Sequence, residues 1–151
     1  MNTDRDEITD VLIRYATALD TRNWHLFDSC FTEDAIADYG TLGGRNQGRE
    51  AIRNAVAILA GFDRTQHLIG NISITVDADE AQAVCYLHAQ HVIDGGDSVE
   101  LLTIGGIYRD RIIRTPIGWR IAQRKLEPVW QSGDSGLISV AAQRAGVVGA
   151  T

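Results

Sequence analysis

Near the start of the chain, residues 4–20 read DRDEITDVLIRYATALD. Apolar side chains recur here at the i, i+3, i+4, i+7 spacing of one buried helix face: Ile8, Val11, Leu12, Tyr15, Ala16 and Leu19. Asp4, followed three residues later by Glu7, provides an N-cap with a capping box in front of that face. The pattern predicts a helix over residues 8–22, and we expect the rest of the domain to form around it.

Asp20 ends this segment and is the first candidate for a functional group. It lies four residues after Ala16, so it falls on the shoulder of the apolar face. It also lies in the last turn, where the helix dipole disfavours negative charge. A half-buried acid at the unfavourable end of a helix breaks two local rules, and such conflicts are typical of functional sites. The alternative is an acid that reaches solvent or caps a neighbouring turn.

The composition is that of one globular domain. The 151 residues are 44% hydrophobic and 23% charged, and the formal net charge of −6, with arginines and acids interleaved, argues against nucleic acid as a partner. No apolar run reaches the roughly 18 to 20 residues of a membrane span, and the polar N-terminus is unlike a signal peptide. Cys30 and Cys85 lack metal-ligand spacing and are too few for a disulfide framework. We therefore expect a reduced cytoplasmic protein with no membrane partner.

The elements after the first helix change from helical to strand patterns. A short helix over residues 24–31, a strand over 35–39, and a helix that begins after Gly48 and closes at Gly61 come first. Four long strands joined by tight turns follow, over residues 65–76, 81–93, 98–114 and 119–130. Strands grouped after helices indicate an α+β domain with an antiparallel sheet.

The end of the chain is expected to lie outside this domain. The domain itself is predicted over residues 1–130. The glycine-containing segment 131–151 is predicted to be a loosely ordered tail. Alternatively, a helical turn or two at residues 139–144 docks on the pocket or on a neighbouring subunit.

Strand alternation predicts which histidine side chains face inward. Between residues 81 and 93, the odd positions carry smaller and more apolar side chains and are expected to face inward, which places His91 inside and His88 outside. A lone inward histidine is more often a satisfied core residue than a catalyst. His67 begins its strand. If it faces the same cavity as Asp20, the carboxylate can bond one ring nitrogen and leave the other as a general base.

Two tyrosines are expected near that pair. Tyr15 lies five residues before Asp20 at the centre of the apolar face, so its ring should be buried and its hydroxyl should seek a partner. Tyr39 ends the first strand and can bring a second phenol into the same space. The sequence contains no recognisable nucleophile motif, glycine-rich phosphate loop or zinc-like cluster. By exclusion, these residue types support proton transfer without a cofactor.

Six motifs resemble one known family. They are Tyr-x4-Asp at 15–20, Phe-Thr-Glu-Asp-Ala at 31–35, Gly-Arg-Glu-Ala-Ile at 48–52, Thr-Gln-His-Leu-Ile-Gly-Asn at 65–71, Gly-Gly-Ile-Tyr-x-Asp at 105–110 and Gly-Trp-Arg-Ile at 118–121. Their order, over roughly residues 5–130, resembles the SnoaL-like domains of the nuclear transport factor 2-like superfamily. The resemblance implies a cystatin-like α+β barrel, in which a curved antiparallel sheet wraps around the N-terminal helices to form a cone with one deep pocket.

Within the superfamily, the most similar branch holds scytalone dehydratase, bile-acid 7α-dehydratase and hexachlorocyclohexane dehydrochlorinase. This resemblance implies that Asp20 and His67 form the catalytic pair of the branch and that Tyr15 assists them. The residues expected to bind substrate are Tyr39, His91 (with His88 as its rival), Arg124, Trp24 and Leu87.

The combined prediction is a cofactor-free lyase, a dehydratase or related β-elimination enzyme. The apolar lining favours a small hydrophobic cyclic or aromatic substrate, and its expected members are Leu12, Leu19, Val56, Leu59 and Leu87. Alternatives are an isomerase or polyketide-type cyclase with the same base, or a non-catalytic partner like the β subunits of ring-hydroxylating dioxygenases. A homo-oligomer is expected because apolar and aromatic residues lie on the outer sheet face, namely Val84, Tyr86, His88 and Val92. The resemblance implies a trimer or a dimer.

Overall fold

In the computed structural model, which describes residues 1–147, helices come first and a large sheet follows. The elements in chain order are α1 (Asp4–Thr21), α2 (Trp24–Asp28), β1 (Phe31–Asp38), β2 (Arg45–Gln47), α3 (Arg49–Val56) with a 3₁₀ turn (Ala57–Gly61), β3 (Arg64–Asp77), β4 (Glu80–Asp94), β5 (Val99–Thr115), β6 (Gly118–Gly133) and α4 (Leu137–Arg144).

One curved sheet of six strands forms the body of the described residues, in the order β2-β1-β6-β5-β4-β3. All neighbouring strands are antiparallel except β1 and β6, which run parallel. The sheet does not close on itself, so the cone is open along one side. The predicted α+β class, with a curved sheet around N-terminal helices, is confirmed.

Helix α1 fills the concave side of the sheet. Its buried residues are those of the predicted apolar face together with Ala18, and it packs mainly against β3. The predicted cap was wrong by one residue. Thr3 caps the helix, and its hydroxyl accepts from the backbone N–H of Asp6, whose carboxylate accepts in return from the Thr3 backbone. None of the helices within residues 1–147 combines the length and the apolarity needed to cross a membrane.

The region between α2 and α3 differs from its local sequence pattern. Phe31 begins β1 and does not end α2, and residues 32–34, which fall between the predicted helix and the predicted strand, lie within β1. The cause is pairing with β6, in which Phe31 lies opposite Ile121, with a register shift between Phe31 and Ile36. Long-range pairing overrides the local turn preference here. The short strand β2, which pairs with β1, was not predicted.

The end of the chain is part of the fold as far as the structure describes it. Strand β6 continues past residue 130, so the predicted domain boundary falls inside a strand. Helix α4 packs on the 3₁₀ turn of its own chain, and Arg144 forms a salt bridge with Asp63 (Nη2–Oδ1, 2.9 Å). Residues 148–151 of the predicted tail lie outside the described residues.

Candidate active site

The last turn of α1 delivers Asp20 to the first residues of β3. Its Oδ2 accepts from the backbone N–H of His67 at 2.8 Å, and its Oδ1 accepts from the Thr65 hydroxyl at 3.0 Å. The same Oδ1 lies 2.6 Å from Nδ1 of the His67 ring. These contacts join the two elements, and they leave the His67 side chain only 5% exposed and that of Asp20 22% exposed.

The electrostatics of this pair determine which ring nitrogen carries the proton. Burial by itself would raise the pKa of Asp20, but the hydrogen bonds from the side chain and backbone of His67 and from Thr65 outweigh it and lower that pKa. The carboxylate is therefore ionised near neutral pH and can only accept hydrogen bonds. Nδ1 of neutral His67 consequently carries the proton, and Nε2 keeps the lone pair.

His91 lies beside His67, with ring centroids 5.7 Å apart in an edge-to-face arrangement. Its Nδ1 donates to the backbone carbonyl of Leu102 at 2.9 Å, which fixes the tautomer. Burial lowers the pKa of His91 to about 4, so this imidazole is neutral. His88 lies on the exposed outer face, where its ring meets Trp130 at 5.6 Å between centroids. Of the two histidines, His91 is the one that lines the cavity.

Tyrosines form another part of the site. The hydroxyls of Tyr15 and Tyr39 lie 2.9 Å apart, and both rings are buried. Within this pair one hydroxyl donates to the other, and the acceptor still has its own O–H to donate. Tyr108, which sequence reasoning missed, also lines the cavity and meets the edge of Tyr15 at 5.7 Å between centroids. The alternation of β5, which points Leu102 and Ile104 inward, could have identified it.

Arg124 does not line the cavity in the described structure, contrary to its expected contact with substrate. Its guanidinium lies behind Tyr15 and Tyr108, with Cζ 4.2 Å and 3.9 Å from their ring centroids. It donates through Nε and Nη2 to Asp110 at 2.8 Å and 2.7 Å. Trp24 also lies away from the cavity and packs against Phe27, with 6.0 Å between ring centroids. We therefore omit Trp24 from the proposed site.

A cavity of about 100 Å³ is lined by His67, His91, Tyr15, Tyr39 and Tyr108. Leu87 lines it as expected, together with Leu19, Val56 and Leu59, whereas Leu12 belongs to the core outside the lining. The remaining lining residues come mainly from the 39–43 loop, α3, the 3₁₀ turn, β5, β6 and α4: Leu42, Gly43, Ala55, Ile58, Phe62, Ala89, Leu102, Ile104, Leu126 and Ile138. Over residues 1–147, no group of three or more His, Cys, Asp and Glu residues is arranged to hold a metal ion.

Comparison with known proteins identifies the family. The model of the SnoaL-like domain matches residues 2–125, most of the chain. The chain belongs to the SnoaL-like domain family. The predicted resemblance is thereby confirmed. An uncharacterized protein from Mycobacterium tuberculosis is 36% identical over 124 residues, which are 80% of this chain and 82% of that protein.

Solved structures similar to this SnoaL-like chain carry several names. Two are from Novosphingobium aromaticivorans. A candidate aromatic ring hydroxylase has a TM-score of 0.77, with 27% identity over 94% of this chain and 96% of its own. A candidate scytalone dehydratase has a TM-score of 0.77, with 22% identity over 87% of each chain. Hexachlorocyclohexane dehydrochlorinase LinA-type3 from Novosphingobium barchaimii has a TM-score of 0.75, with 17% identity over 87% of this chain and 90% of its own. The last two, below 25% identity, show the shared fold.

Proposed function

We propose that this protein is a cofactor-free lyase, a dehydratase or related β-elimination enzyme that uses His67 as its general base. The observation that carries the proposal is the contact between Nδ1 of His67 and the Asp20 carboxylate at 2.6 Å, beside an apolar cavity. Because Nδ1 is occupied and the ring lines the cavity, Nε2 is the nitrogen left for a substrate. The names of the similar dehydratase and dehydrochlorinase structures support this class of reaction.

The proposed step moves one proton and two electron pairs. Nε2 of His67 removes a proton from a carbon next to an electron-withdrawing group, and the C–H electron pair forms the new double bond. Hydroxide or halide leaves from the neighbouring carbon with its bonding pair. The ionised Asp20 stabilises the imidazolium that forms, and the free hydroxyl of the Tyr15–Tyr39 pair donates to a developing negative oxygen or to the leaving group.

The size of the cavity restricts the substrate and requires movement. An engineered cavity of roughly 150 Å³ in another protein holds benzene, whereas this one measures about 100 Å³. A single-ring substrate therefore fits only if part of the wall moves outward. The 3₁₀ turn and α4, which contribute Leu59 and Ile138, form the wall that can do so without disturbing the sheet. The apolar lining favours a small hydrophobic ring.

The test follows turnover of substrates that carry an acidic C–H. Cyclic ketones with a β-hydroxyl or β-halide are incubated with the enzyme, and the rate of product formation and the product mass are measured. General base catalysis contributes about 10² to 10⁴-fold in rate, so Asp20→Asn and His67→Gln should each lose most of the turnover while thermal unfolding shows an intact fold. Exposed Asp10→Asn on α1 and exposed His88→Gln on β4 are matched controls and should retain it.

Two results decide between the alternatives. Loss of water or halide from the product indicates elimination, whereas a product of unchanged mass indicates an isomerase or cyclase with the same base. Full turnover in both Asp20→Asn and His67→Gln would show that the pair is not catalytic.

A further inference from the structure

The inner face of the sheet contains one fully buried ion pair. Arg124 on β6 lies opposite Asp110 on β5, and both side chains are 0% exposed. The pair is bidentate, with distances of 2.8 Å and 2.7 Å. Burying two charges costs several kcal/mol of desolvation, and an apolar pair of similar volume often gives equal or better stability. Fold stability alone therefore explains the pair poorly.

The position of the cation suggests its role. The guanidinium lies between the rings of Tyr15 and Tyr108, whose other atoms line the cavity. Tyr15 in turn contacts the hydroxyl of Tyr39. Nη1 of Arg124 is buried and finds no hydrogen-bond partner within the described residues. A permanent positive charge thus lies one ring thickness behind two phenols of the cavity, Tyr15 and Tyr108, and its hydrogen-bonded counter-charge is the carboxylate of Asp110.

This charge acts on the acidity of the phenols. Burial raises the pKa of Tyr15, and it raises the pKa values of Tyr39 and Tyr108 well above the ordinary value. The positive charge of Arg124 lowers the pKa of each of them and so opposes part of that effect. The contribution of Arg124 thus favours a negative oxygen at the phenols relative to the same buried cavity without the cation, and it acts in the same direction on the oxygen of a ligand bound there.

We propose that Arg124, held by Asp110, is a positioning residue that acts through Tyr15 and Tyr108 and makes the phenol end of the cavity a site for an oxyanion. This inference rests on the proposed function, in which His67 removes a proton, and it names the substrate class. The substrate carries a carbonyl next to the acidic C–H. When the proton moves to Nε2, the C–H pair forms a C=C bond to the carbonyl carbon, and the carbonyl π electrons move to an oxygen that accepts from the tyrosine hydroxyls. The carbonyl then re-forms, the C=C pair shifts to the neighbouring carbon as the new double bond, and the hydroxide or halide on that carbon leaves with its bonding pair.

The test compares an ionised probe with a neutral one. Binding of 4-nitrophenol is followed by the absorbance of its phenolate form, and nitrobenzene serves as the uncharged analogue. The variant Asp110→Leu/Arg124→Met removes both charges together, so neither is left buried and unpaired. The matched control is Arg109→Gln/Glu127→Gln, which removes an exposed ion pair between the same two strands. Thermal unfolding checks that both variants fold.

The wild type should bind the phenolate in preference to nitrobenzene. Loss of the buried pair should weaken phenolate binding about tenfold or more and change nitrobenzene binding less than twofold, because a desolvated cation beside π systems contributes on that scale. The control variant should match the wild type. A wild type without phenolate preference, or a pair-replaced variant that keeps it, would overturn the inference.

The result does not depend on turnover. The pair replacement is repeated in the His67→Gln background, where the same loss of phenolate binding is expected. If the wild type turns over none of the β-substituted cyclic ketones while the phenolate preference follows the Arg124–Asp110 pair, the proposed lyase function is wrong and the oxyanion site stands. If the preference disappears with His67→Gln alone, the imidazole and not Arg124 holds the negative charge, and the inference is wrong.

Discussion

At the residue scale, Asp20 shows how a position unfavourable to a helix becomes useful to a site. A carboxylate in the last turn meets the negative end of the helix dipole. Here the hydroxyl of Thr65 and the backbone and ring N–H groups of His67 supply compensating donors. All of these donors come from β3, so the acid is stabilised only when helix and sheet are assembled. The same contacts orient the imidazole, which couples folding to the geometry of the proposed base.

His91 predicts a specific loss of stability in acid. Its pKa falls from 6.5 to about 4 on folding because the ring is buried, so between these values the unfolded chain binds more protons than the folded one. Its stabilising contribution is complete above pH 6.5 and is lost as the pH falls toward 4. Between pH 7 and pH 4.5, the free energy of unfolding measured in urea should fall by about 2 kcal/mol more in the wild type than in His91→Asn. The asparagine keeps a donor for the Leu102 carbonyl. Equal losses would contradict a buried neutral His91.

At the scale of elements, the 3₁₀ turn and α4 form a cover over one side of the cavity. Arg22, just past the end of α1, donates to the carbonyls of Leu59 at 3.2 Å and Phe62 at 2.7 Å, which ties the turn to α1. Gly61 lets the turn approach α4 closely, because a Cβ at this position would lie 1.8 Å from the backbone oxygen of Ala141. The 3₁₀ turn is therefore held to α1 by Arg22, and α4 is held to the turn by close backbone packing, beside the salt bridge of Arg144 with Asp63.

Substitution at Gly61 should loosen this cover. In Gly61→Ala the added methyl overlaps backbone that cannot rotate away, so α4 must shift, and we expect a destabilisation of about 1 to 3 kcal/mol. Amides of residues 137–147 should exchange with D₂O faster than in the wild type. Gly70→Ala is the control, since a Cβ there meets nothing within 4 Å. Equal protection of α4 in both variants would show that the close packing does not hold it.

Elements with strong local signals could be predicted from the sequence, and those that depend on distant partners could not. The four long strands were placed to within about three residues because alternation and tight turns mark them. Strand β2 has only three residues and exists because β1 lies beside it. The start of β1 at Phe31 depends on β6, and the packing of α4 depends on Gly61. None of these contacts produces a periodic pattern in the sequence of the segment that makes it.

At the scale of the whole molecule, the outer face of the sheet presents an apolar groove. Leu68, Tyr86, Val129 and Trp130 line it and are between 46% and 59% exposed. Exposed apolar surface of this kind commonly marks a protein interface. A homo-oligomer formed through this face stays a prediction.

Sedimentation equilibrium tests that prediction. The wild type should sediment as a dimer or trimer, and Tyr86→Asp should shift it toward the monomer because the new charge would be buried in the interface. Ile117→Asp, at an exposed position in the β5–β6 turn, serves as the control and should keep the oligomer. A monomeric wild type, or an oligomer unaffected by Tyr86→Asp, would contradict an interface on this face.

The site could be predicted only in part. The helix pattern marks Asp20 as unusual and strand alternation places His91 inside, but the meeting of Asp20 with His67 follows from a fold that was inferred by resemblance. Arg124 was expected to touch substrate, and its position behind the tyrosines could not be read from its own strand. The position of Arg124 depends on Asp110, which lies directly opposite it on β5.

The most direct test of the central claim is nitrogen NMR of the His67 ring. If ionised Asp20 fixes the imidazole, neutral His67 carries its proton on Nδ1, and Nε2 resonates as an unprotonated nitrogen. In Asp20→Asn this preference should weaken. A wild-type ring that carries its proton on Nε2, or that mixes both tautomers as Asp20→Asn does, would contradict the account.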